Sequence, residues 1–60
     1  MCEFKVWLGG EKVAEDVIYA NVEGGRVTLR DVLGKPVVVE GARIAEVDVA
    51  STRLVLEKAG

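Results

Sequence analysis

The chain has 60 residues, half of them hydrophobic and 30% charged, with a formal net charge of −2. A chain this short forms one small domain, 1–60, and buries only roughly 60% of the surface its unfolded form exposes, so it leans on a disulfide, a metal or a second subunit for stability. One cysteine and no histidine exclude an internal disulfide and a structural zinc site within one subunit, which leaves oligomerisation.

The first element is "CEFKVWL", which sets Cys2, Phe4, Val6 and Leu8 on one face against Glu3, Lys5 and Trp7 on the other, the period of a half-buried strand. Gly9-Gly10-Glu11 turns the chain. The start of "KVAEDVIYANVEGG" is ambiguous, because Val13, Ala14 and Val17 also fit one side of a helical turn. Its continuation alternates Ile18, Ala20 and Val22 against Val17, Tyr19 and Asn21, and predicts a strand with an irregular start. Gly24-Gly25 between two apolar runs is a hairpin signal, so 17–23 and 26–30 are expected to pair antiparallel.

"RVTLRDVLGKP" alternates through Val27 and Leu29 and then slips phase at Val32 and Leu33, as at a bulge or where a strand leaves its sheet. "VVVEG" reads as a short buried run. "RIAEVDVAS" places Ala45, Val47 and Val49 opposite Glu46 and Asp48, and Ser51-Thr52 turns the chain into "RLVLEK", where Leu54 and Leu56 alternate with Arg53, Val55 and Glu57. The predicted fold class is all-β: a small antiparallel meander of about six short strands, curling into a barrel, with no substantial helix. Trp7, Val17, Tyr19 and Val55 fall out of phase with the main apolar set. They are candidates for a subunit interface, against the alternative that each lies singly on the surface or under a loop.

Several function classes recede on these grounds. The eight basic residues are scattered, and an acidic domain binds phosphates against its own field, so nucleic acid is not an expected partner. No apolar run approaches the roughly 20 residues of a membrane span, and the N-terminus lacks the form of a secretion signal; no membrane association and a cytoplasmic location are expected. The usual general base is missing along with every histidine-containing triad, and neither Glu15-Asp16 nor Glu46 with Asp48 has the arrangement of a catalytic dyad. The chain is not expected to be an enzyme.

Cys2 has two readings. One is a small apolar residue at a strand start, since free cysteines are among the most buried residue types. The other begins from its position: the Met1 amine, the Cys2 amide nitrogen and the Cys2 sulfur can close two adjacent five-membered chelate rings around a metal. If Met1 is removed, the new terminal Cys offers an amine and a thiolate, and two subunits at a two-fold axis supply an N₂S₂ set. Nitrogen and thiolate donors of this kind suit Ni(II) or Cu(II).

The opening Met-Cys-x-x-Lys-Val-x-Leu, the central "VTLRDVLG", and "EGARIAEVDV" followed by "RLVLEK" together resemble the CooT family of small nickel-binding proteins, over essentially the whole chain. The resemblance implies a homodimeric all-β protein that holds Ni(II) through the Cys2 position of both subunits. Met1 enters through its terminal amine and the adjoining peptide. It further implies a nickel carrier or chaperone whose client is a nickel enzyme of the carbon monoxide dehydrogenase type. Two readings from other classes stand beside it: a nucleic-acid-binding small β-barrel that stacks bases on Trp7 or Tyr19, and a metal-free protein-interaction domain using the second apolar face.

Overall fold

The computed structural model describes residues 2–59, and they form six strands and no helix: β1 Phe4–Leu8, β2 Glu11–Glu23, β3 Arg26–Asp31, β4 Pro36–Glu40, β5 Ala42–Asp48 and β6 Arg53–Lys58. The strands make one sheet in the order β4-β3-β2-β1-β6-β5. The all-β meander of short strands is thus as predicted, including the hairpin over Gly24-Gly25, which sets Glu23 opposite Arg26 and Val22 opposite Val27. Both turn glycines have φ above 50°, the left-handed conformation that matches the turn to the twist of its strands.

Two features of the expected architecture are corrected. The sheet is mixed rather than antiparallel throughout, because β1 and β6 run parallel, with Lys5 beside Arg53 and Trp7 beside Val55. It is also curled but not closed into a barrel, since β4 and β5 remain as edges. The two edges meet only at one corner. There Gly41, at φ 62°, turns the chain from one edge strand into the other, the Ala42 N–H donates to the Gly25 carbonyl at 3.0 Å, and the Ala59 N–H donates to the Gly41 carbonyl at 2.8 Å.

The curl originates in β2. Its first half pairs with β1 and its second half with β3, and between them Asp16 adopts φ 57° where the ladder shifts register. A residue in this conformation bends the strand and resets which side chains point inward. Val17 therefore lies in the core, 3% exposed, and is not the interface residue that unbroken alternation predicts. A second register shift between Ile44 and Glu46 has the same effect on β5. Ala42 and Ile44 pack inward, Ala45 is exposed, and the expected apolar face of Ala45, Val47 and Val49 is broken.

Val6, Val17, Val27, Leu29, Ala42, Leu54 and Leu56 make up the buried core, drawn from every strand except β4. Each fully buried Leu or Val contributes roughly 1.5–3 kcal/mol. The "VVVE" segment is accordingly a half-buried edge strand: Val37 and Val39 pack on the core and Val38 points outward, half exposed. The phase slip at Val32 and Leu33 is a turn leaving the sheet. The Leu33 and Lys35 N–H groups both donate to Asp31 Oδ1 at 2.9 Å, and Leu33 is 89% exposed.

Candidate metal centre

Strand β1 is clamped between β2 and β6 because its apolar alternation buries Val6 completely and half-buries Phe4 and Leu8. Its ladder with β2 ends at the Phe4–Val17 pair, and the Lys5 N–H donates to the Thr52 carbonyl at 2.9 Å beside it. Cys2 lies two residues outside this last pair, as a free and exposed cysteine. In the single chain Cys2 is exposed and lies outside the core cluster. Met1, the other predicted ligand, lies outside the described residues.

Cys2 carries the sequence's single thiol. The sequence has one cysteine and no histidine, and among the described residues no three Cys, Asp or Glu side chains come together with metal-binding spacing. Five of the ten acidic residues are engaged in contacts of their own. Glu40 Oε2 accepts from Arg26 Nε at 2.9 Å and Glu57 Oε1 from Arg43 Nε at 2.7 Å, both across neighbouring strands. Lys12 donates to Glu15 at 2.9 Å and holds the Glu15 carboxyl below its ordinary pKa through that hydrogen bond and its charge. Asp31 and Asp48 accept main-chain N–H groups in their turns.

A thiolate with one or two nitrogens from its own chain end is an incomplete donor set. Late transition ions in N/S sites take about four ligands, more than these atoms of one chain supply.

Residues 1–57 match the family model described as CO dehydrogenase accessory protein CooT. The chain belongs to the CooT family. The match covers β1 through to Glu57 of β6, so the CooT assignment rests on the whole sheet together with the Met-Cys start. No curated protein matches the chain. The CooT family is described as one of accessory proteins of carbon monoxide dehydrogenase.

The remaining predicted residues are placed as follows. Of the aromatics considered as stacking platforms, Trp7 is half buried beside Val55 on the outer face, and the Arg30 guanidinium lies over the Tyr19 ring at 4.4 Å from its centre. No helix among the described residues is long and apolar enough to cross a membrane. One feature escaped the sequence reading: an apolar groove of about 180 Å³ on the inner side of the sheet, lined by Phe4, Val17, Ile18, Ala20, Ile44 and Val47 among others. Its only advance sign is Ile18, whose phase relative to Val17 is reset by the bend at Asp16.

Proposed function

We propose that this protein is a non-catalytic nickel carrier, holding Ni(II) through the Cys2 thiolate together with nitrogen donors of its chain end, at a homodimer interface where two such ends complete the coordination sphere. The carrying observation is the free, exposed Cys2 just outside the last rung of β1, in a CooT-family chain with no second cysteine and no histidine. In this reading Met1 contributes its terminal amine and its peptide link to Cys2. The metal is cargo: an exposed site with few ligands releases it to an acceptor, and the family's description points to carbon monoxide dehydrogenase as the client. The setting for such a transfer is the cytoplasm.

Nickel titration of the untagged protein tests the reading. One Ni(II) per two chains is expected, with a thiolate-to-metal absorption band. Cys2→Ser removes the band and the tight binding. A short extension ahead of Met1, with Cys2 kept, weakens binding nearly as much, because it removes the terminal amine. Unchanged affinity and stoichiometry in Cys2→Ser would overturn the proposal.

A further inference from the structure

Among the described residues, two other than glycine have a left-handed backbone, Asp16 at φ 57° and Thr52 at φ 51°. Both meet β1 at the same residue. The β1–β2 register passes from the Phe4–Val17 rung to Val6–Ala14, so Lys5 faces the bulge of Glu15 and Asp16 and has no partner of its own on β2. On its other side the Lys5 N–H donates to the Thr52 carbonyl at 2.9 Å, where the parallel ladder with β6 begins.

The two left-handed residues differ in cost. Aspartate tolerates this region, whereas threonine is β-branched and crowds its own backbone there. Bonds within the turn hold it in place: Thr52 Oγ1 donates to the Ser51 carbonyl at 2.7 Å, and the Thr52 N–H to the Val49 carbonyl at 3.2 Å. A residue held in this way stores strain, and any motion that lets it relax to extended backbone releases that strain.

We propose that the end of β1 is a strained latch: the residues up to Lys5 open from the sheet as a unit hinged at Val6, and the left-handed backbone of Thr52 favours that opening. Val6 is fully buried and bounds the unit. Within the unit the Phe4–Val17 rung is cut off from the rest of its ladder by the bulge at Asp16, and Phe4 is only half buried. Opening breaks the Lys5–Thr52 bond and frees Thr52 to leave the left-handed region.

The latch deepens the carrier reading and rests on it only for what the opening serves. Cys2 lies on the opening unit, and each residue freed adds about 3.3 Å to its reach. Such reach suits a cargo that has to be handed to an acceptor.

Amide exchange in the metal-free protein, followed residue by residue at neutral pH, tests it. The Lys5 amide is expected to exchange at least about tenfold faster than the Leu29 amide of the core. Thr52→Gly permits the left-handed backbone without crowding and is expected to slow Lys5 exchange by about fivefold, with Thr52→Asn falling between. Residue 52 is far from Lys5 in sequence, so the intrinsic chemistry of that amide is unchanged, and Thr52 lies outside the core cluster. Lys5 exchange as slow as that of Leu29 means that no local opening occurs and overturns the inference. Exchange that is unchanged or faster in Thr52→Gly overturns it as well. In the nickel-loaded protein, transfer of the metal to excess EDTA is expected to slow in Thr52→Gly by the same factor, and an unchanged rate overturns the link between the latch and metal release. Exchange that behaves as expected in a protein that takes up no nickel upholds the latch and removes the carrier reading alone.

Discussion

Phe4 and Val17 face each other as the last rung of the β1–β2 ladder, which leaves Cys2 two residues beyond the paired part of the sheet. Anchoring and presentation are thereby divided within four residues. Phe4 packs against the core, and Cys2 is free.

Nickel affinity is expected to fall as the solution is acidified, because thiol and amine donors must lose protons before they bind metal. The dependence is about tenfold per pH unit for each proton displaced. Competition against a chelator of known affinity, from neutral pH down to mild acid, measures the slope. A flat profile would point to carboxylate oxygens, which are already ionised there.

The turn between β3 and β4 depends on one carboxylate oxygen that accepts two N–H groups, from Leu33 and Lys35. Replacing Asp31 by Ala leaves both donors without their partner, and urea unfolding is expected to lose about 1–2 kcal/mol of stability. Asp31→Asn keeps an acceptor in the same place and should lose less.

Gly41 has open space where a Cβ would stand, but its φ is 62°. Gly41→Ala therefore isolates the backbone cost of the corner between the edge strands, about 1 kcal/mol in thermal unfolding. Gly41→Asn, which tolerates the left-handed region better, should lie between the two.

The Glu15–Lys12 pair gives a direction with acid. Because Lys12 holds the Glu15 carboxyl below its ordinary pKa, the pair stabilises the fold above the unfolded-state value, and that contribution is lost as pH falls through the folded one. Glu15→Gln should be slightly less stable than the wild type at pH 7 and equal to it once both are fully protonated. Both residues are well exposed, so the difference is small and shrinks further with added salt. Paired denaturation curves at the two pH values check it.

Strand identity was legible in the sequence wherever alternation ran unbroken and turns were marked by glycine, as at Gly24-Gly25. It failed where a single residue reset the phase. Asp16 moves Val17 into the core, and the shift after Ile44 leaves Val47 uncovered. Local pattern also carries no information on which distant strands meet, so the parallel pairing of β1 with β6 was invisible. At the candidate site, the position of Cys2 was readable because it depends only on chain order. Its coordination environment was not, because the further donors that the carrier reading requires lie on Met1 and on a second chain.

The parallel contact of β1 with β6 also sets an order of events during protein synthesis. β1 receives its second neighbour only from residues 53–58, so the strand that displays Cys2 ahead of Phe4 stays half-held until those residues have left the ribosome. In the carrier reading, metal loading at Cys2 then follows the docking of β6 against β1.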